Sequence, residues 1–239
     1  MAFIEIKFPS DTLGHGETVN VILPDSPREG GAKVLYLLHG HSDDYSTWMR
    51  RTSIERYATK YNIAVVMPDG NRSFYTNTAS GHLYYDYIAH ELPKKMEMYF
   101  NISNKPCDKY IAGLSMGGYG ALKVALRECG QYAAAAGLSS AVDIKSDTIN
   151  FALDPVFLGK PVPDEDDCFW LARQAAQKEN RPRLFIGEGR QDFLYKDNEN
   201  FRKLLDEIGY EYTYKESDGY HTWDFWDEYI PQAIEWMLK

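Results

Sequence analysis

The chain has 239 residues, 44% of them hydrophobic, with 35 acidic and 26 basic side chains and a formal charge of -9. That length is ordinary for one domain with a sizeable core, and the acidic balance argues against nucleic acid or an anionic membrane as partner. Cys107, Cys129 and Cys168 are odd in number and scattered, offering neither a disulfide framework nor a metal-ligand spacing. Met1 to Lys7 carries charges where a secretory leader needs an unbroken apolar core, and no stretch has the length to span a bilayer, so the expected location is cytoplasmic.

In chain order, Glu5–Phe8 and Thr18–Leu23 alternate as antiparallel edge strands joined through Gly14 and Gly16. From Lys33 onward apolar runs and helical patterns take turns. Strands are expected over Lys33–Leu38, Ile63–Met67, Lys109–Ala112, Ala133–Leu138, Arg183–Gly187 and, in alternating form, Glu211–Glu216. Helices are expected over Arg51–Tyr61 and Tyr84–Phe100, after Ser115, from about Asn198, and over Trp223–Leu238, with Pro93 starting or kinking a turn. This order predicts a mostly parallel sheet with helices on both faces, in a single domain. Residues 140–170, rich in proline, aspartate and glycine, break the alternation and are expected to form a small lid; the acidic run Asp164–Asp167 is expected to be a solvated loop.

The stretch that carries chemistry is Gly113-Leu114-Ser115-Met116-Gly117, where an apolar strand, a sharp turn and a helix meet at one serine. A serine hydroxyl is a poor nucleophile unless it stands clear of the sheet, beside a base, with N–H groups aimed at the developing oxyanion. Asp192 sits just past the strand Arg183–Gly187, where ligand sites of open α/β sheets gather. Its rivals are Asp197, better placed as a helix cap, and Glu188, close to the strand. His221 lies in the loop before the last helix, and the order Ser115, Asp192, His221 is the nucleophile, acid, base order of α/β-hydrolases. The oxyanion hole is expected from the backbone N–H groups of Met116 and of His41, with Gly40 permitting close approach and His39 hydrogen-bonding within the loop.

His39-x-His41-x-Asp43-Asp44 also resembles the His-x-His-x-Asp-His ligand run of binuclear metallohydrolases. The last ligand is Asp rather than His, only His82, His90 and His221 remain downstream, and a metal reading leaves the serine elbow unexplained.

Leu37-Leu38-His39-Gly40, the elbow Gly113–Leu122, Asp192-Phe193-Leu194 and Gly219-Tyr220-His221-Thr222-Trp223 together resemble the esterase D-like family of α/β-hydrolases, over nearly the whole chain. The branch they resemble most is that of small bacterial tributyrin and acetyl esterases; feruloyl esterases, S-formylglutathione hydrolases and mycolyltransferases are others. The resemblance implies a cofactor-free serine carboxylesterase acting on short acyl esters, acetyl to butyryl, including acetylated sugars or feruloyl esters. It implies Ser115 as nucleophile, His221 as base, Asp192 as orienting acid, and a homo-oligomer. The His-Gly-His loop departs from the Ser-Gly-Leu-Thr-Cys type associated with the formylglutathione branch, which lowers the thioesterase reading. Three further readings stay open: an acyltransferase, which would keep the triad but exclude water; a peptidase, for which the chain offers no gating domain; and a catalytically silent binding module that retains the fold. Gly40, Trp48 and Trp223 are candidate substrate contacts among rim aromatics that also include Phe74, Tyr75, Tyr84, Tyr85, Trp170 and Trp226; most of these are expected to be packing residues.

Overall fold

The computed structural model describes all 239 residues. Eight strands build one sheet: β1 (Ala2–Ser10), β2 (His15–Leu23), β3 (Val34–Leu38), β4 (Ala64–Pro68), β5 (Lys109–Leu114), β6 (Ala134–Leu138), β7 (Arg183–Gly189) and β8 (Tyr212–Ser217). Their order is β1-β2-β4-β3-β5-β6-β7-β8, with β1–β2 and β2–β4 antiparallel and every other pair parallel. The strands β3 to β6 are buried along their whole length, because helices cover both faces; this is why they read as continuous apolar runs rather than alternating ones.

The helices are α1 (Thr47–Arg51), α2 (Ile54–Tyr61), α3 (Tyr84–Asp86), α4 (Leu92–Tyr99), α5 (Met116–Arg127), α6 (Asn150–Phe157), α7 (Cys168–Ala175), α8 (Tyr195–Glu207) and α9 (Trp223–Met237). One apolar cluster joins α2 and α9 to one face of the sheet; a larger one joins α4, α5, α7 and α8 to the other. Because β3, β5 and β7 run parallel, the loops that leave their carboxyl ends open on one side of the sheet, which is where such folds bind ligands. No helix is long and apolar enough to cross a membrane, and all three cysteines are free.

Three local expectations are corrected. The helix expected over Arg51–Tyr61 is two, broken at Thr52 and Ser53, where the Thr52 hydroxyl turns back onto the Trp48 carbonyl and the Ser53 N–H bonds Asp227. Tyr84–Phe100 is interrupted by a π-turn over Tyr87–Glu91 just before Pro93. Proline cannot donate to the carbonyl four residues back, and that orphaned Ala89 oxygen is taken instead by the Gln131 side chain at 2.8 Å. The acidic run is only partly solvated. Asp166 is buried and pairs at 3.0 Å with the fully buried Lys123 of α5, while Asp167 caps α7 by accepting from the Phe169 N–H. Residues 140–170 hold α6, a 3-10 turn and the start of α7.

Candidate active site

The strand β5 delivers Ser115 into a backbone conformation of φ 52° and ψ -119°, and α5 starts at the next residue. A side chain at positive φ costs on the order of 1–3 kcal/mol and persists only where the surroundings over-determine it. Here the Ser115 N–H donates to the Leu138 carbonyl at 2.9 Å, and the Ser115 carbonyl accepts from Tyr119 and Ala141 at 3.0 and 3.1 Å. Glycine is required on both sides. A Cβ on Gly117 would collide with the Leu38 and His39 carbonyls, and one on Gly113 with the backbone of Gly117. The pentapeptide thus packs α5 against β3 and leaves the serine hydroxyl as the group that projects.

The three residues singled out in the sequence meet. The His221 Nε2 lies 2.9 Å from the Ser115 Oγ, and the His221 Nδ1 lies 2.8 and 3.1 Å from the two Asp192 oxygens. The Asp192 carboxylate is buried and also accepts the Leu194 N–H at 2.9 Å, so its geometry is fixed from two directions. The imidazole is clamped by rings: Phe193 lies 4.6 Å away and Trp226 meets it edge-on at 4.9 Å. Neither ring was identifiable as a clamp from spacing, although Phe193 directly follows the acid.

The rival carboxylates do other things. Asp197 is buried at the start of α8, and Glu188 is buried with no partner for either oxygen. Burial, and then the charge of Asp192, push the Glu188 carboxyl up from 4.5 to about 9, so it is held as the neutral acid at neutral pH.

The loop after β3 is cross-linked. His39 donates from Nδ1 to the Gly40 carbonyl at 2.7 Å and accepts the Gly70 N–H on Nε2 at 2.8 Å, which fixes its tautomer. The Asp43 carboxylate accepts the Gly40 N–H at 3.2 Å, and burial raises its pKa. A Cβ on Gly40 would sit 2.7 Å from the Leu114 Cδ1 and 2.9 Å from an Asp43 carboxylate oxygen, so a larger residue there would push on both side chains. The His41 N–H has no partner within the chain, and Met116, as the first residue of α5, has an N–H that the helix itself does not satisfy. The His41 ring Nε2 accepts from Arg72 Nε at 3.1 Å, and burial together with that guanidinium lowers the imidazole pKa. His39 therefore uses one nitrogen inside its own loop and the other on the loop after β4, and His41 accepts from an arginine on its Nε2. The metal-ligand run does not converge on a common centre, and no three His, Cys, Asp or Glu side chains in the chain do.

A cavity of about 470 Å³ opens above Ser115 and His221, with Gly40, His41, Trp223 and Trp226 on one side and Phe74, Ile149, Ala152 and Leu194 among its apolar walls. Gly40 and Trp223 line this cavity. Trp48 does not: it is 1% exposed, donates its indole N–H to the Leu38 carbonyl at 3.0 Å, and supports Trp223 edge-on from beneath. Tyr75, Tyr84 and Tyr85 are packing residues, and Trp170 stands outside the cavity.

The family model described as "Putative esterase" matches residues 10–237. An acetyl esterase of Caldicellulosiruptor saccharolyticus is 31% identical over all of this chain and 99% of its own length. Among solved structures, the fluorophosphonate-binding serine hydrolase F of Staphylococcus aureus superposes with a TM-score of 0.92 at 37% identity, over 100% of this chain and 98% of that one. An S-formylglutathione hydrolase of the same organism gives 0.89 at 37% identity, over 100% and 99%. A serine elbow on an eight-stranded α/β sheet and these matches over its whole length agree: the chain is an esterase of the α/β-hydrolase fold and belongs to that esterase family.

Proposed function

We propose that Ser115, His221 and Asp192 form the catalytic triad of a carboxylesterase for short acyl esters, with the backbone N–H groups of His41 and Met116 as its oxyanion hole. The observation that carries this reading is the unbroken hydrogen-bonded chain from the Ser115 hydroxyl through both His221 nitrogens to a buried carboxylate. In the first half-reaction the Ser115 Oγ attacks the ester carbonyl as its proton passes to His221 Nε2. The oxygen of the tetrahedral adduct gains negative charge between the two N–H groups, each of which is free to donate. Collapse breaks the bond to the alcohol, which leaves with the proton from His221. Water then repeats the sequence on the acyl-enzyme. Asp192 keeps Nδ1 protonated and Nε2 facing the serine.

Acetyl to butyryl groups suit the apolar walls Phe74, Ile149 and Leu194, and the acetyl esterase relative supports that class. A second reading, hydrolysis of thioesters, draws on the 37% identical S-formylglutathione hydrolase. The helix-bearing segment 140–170, which brings Ile149 and Ala152 to the cavity, is read as its cover. A cytoplasmic location fits three free cysteines. The test is kcat/KM for p-nitrophenyl esters from acetyl to octanoyl, with S-formylglutathione alongside and Ser115→Ala as blank. A steep preference for the short esters, lost by on the order of a million-fold in the variant, is expected. Equal rates in both proteins would reject the triad assignment.

A further inference from the structure

A second cavity, of about 390 Å³, is lined by Arg72, Ser73 and Pro155. Ser73 adjoins Phe74 of the catalytic cavity, Pro155 lies in the same helix as Ala152, and Arg72 donates from Nε to the ring of His41, which lines the catalytic cavity, at 3.1 Å.

We propose that this cavity is a subsite for an anionic leaving group, and that Arg72 receives a carboxylate carried by the alcohol or thiol part of the substrate. The proposal rests on the esterase reading above. Arg72 makes a single side-chain hydrogen bond, from Nε to His41, and no ion pair, so the donors on both terminal nitrogens are free. Those two amino groups present the fork that matches a carboxylate. The remaining lining includes Asn71, Thr78, Ser80 and His82, with one hydrophobic residue among nine and no carboxylate. Two acids lie close by, Asp69, which accepts the Asn71 N–H at 2.7 Å, and the buried Glu17, 3.2 Å from His15, and their field opposes that of Arg72. The backbone beside Arg72 also takes costly conformations. Of seven non-glycine residues at positive φ, three are Asn71, Phe74 and Tyr75, and a fourth is Ser115. Strain of this kind collects at ligand clamps and catalytic turns. His41 lines the catalytic cavity and accepts from the exposed Arg72, so a leaving group that emerges past the neutral His41 ring, with the ester carbonyl at Ser115, meets the guanidinium.

The test uses 4-acetoxybenzoate against two uncharged esters of similar shape, its methyl ester and 4-(hydroxymethyl)phenyl acetate, on wild type, Arg72→Gln and Arg72→Lys. Arg72 also orients the His41 ring, so a drop common to all three esters carries no weight; the readout is the ratio of kcat/KM for the charged ester to that for each neutral one. Leaving-group electronics cancel when that ratio is compared between proteins. The charged-to-neutral ratio is expected to fall about tenfold in Arg72→Gln, to fall less in Arg72→Lys, and to shrink in wild type as salt is raised. A ratio unchanged by Arg72→Gln would overturn the subsite. A ratio that falls only for the hydroxymethyl comparison would assign the cavity to neutral polar groups and also overturn it. Wild type inactive on all three esters would instead reject the esterase reading on which the subsite rests.

Discussion

The two walls of the catalytic cavity are built by opposite means. The wall that carries the elbow and the loop after β3 is cross-linked by polar groups: Ser115 is held at three backbone bonds, His39 at both nitrogens, and Gly40 at Asp43. The facing wall is α6, eight residues with a proline inside, contributing apolar side chains and leaving Phe151 77% exposed at the cavity mouth. Atoms that must meet a developing charge are fixed within tenths of an ångström by directional bonds, whereas a surface that receives an acyl chain needs only apolar area. Away from the cavity, α5 is tied to the 3-10 turn that precedes α7. Lys123 of α5 reaches Asp166 at 3.0 Å and the Thr76 hydroxyl at 2.6 Å, and the Tyr119 hydroxyl donates to the Asp166 carbonyl at 2.6 Å.

If rigidity of the polar wall is what matters, its orienting acid should cost most. Asp192→Asn keeps the shape but lets the imidazole take the other tautomer, and kcat for a short ester is expected to fall on the order of 10⁴-fold with KM little changed. A drop of less than tenfold would mean that His221 is oriented by Phe193 and Trp226 alone. Next in size is the buried joint between α5 and the turn before α7. Burial pulls the Lys123 ammonium below its ordinary pKa, and Asp166 acts in the opposite sense. Lys123→Met leaves the Asp166 carboxylate buried without its partner and is expected to cost about 3–5 kcal/mol in urea unfolding, while Lys123→Met with Asp166→Leu recovers most of that. If the double variant is as unstable as the single one, the joint holds by packing rather than by charge.

Glu188 sharpens the contrast through pH. The unfolded chain releases this proton near 4.5 and the folded chain near 9, so between those values the folded state binds more protons and stability falls as pH rises. The slope is about 1.4 kcal/mol per pH unit for one such group. Glu188→Gln removes it, so the variant is expected to gain on wild type in urea midpoint at about pH 8.5 but hardly at about pH 5.5. Equal gains at both would show that the folded carboxyl is ionised throughout. Smallest is the soft wall itself. Phe151→Ala removes apolar surface at the mouth and is expected to change KM only a few-fold, more for octanoyl than for acetyl esters, with kcat held. An equal loss on every chain length would mean that α6 supports the polar wall as well.

Sequence legibility divides along the same line. The elbow and Asp192 stood out because each follows the end of an apolar strand, and His221 because it follows an alternating one; strand ends are visible in a single chain. What failed was partner choice across long separations. A buried indole and a rim indole have the same spacing, so Trp48 could not be told from Trp223, and nothing local marks Lys123 as the partner of Asp166, 43 residues on. Arg72 and the strained loop around it follow no period and no motif. They were invisible until the fold set that loop beside His41.

The most direct measurement is intact and peptide mass spectrometry after treatment with a fluorophosphonate, which adds covalently only to a serine activated by its base. One adduct per chain is expected, on the peptide containing Ser115, absent from Ser115→Ala and strongly slowed in His221→Ala. No adduct on the folded protein, or one on another serine that survives Ser115→Ala, would contradict the triad.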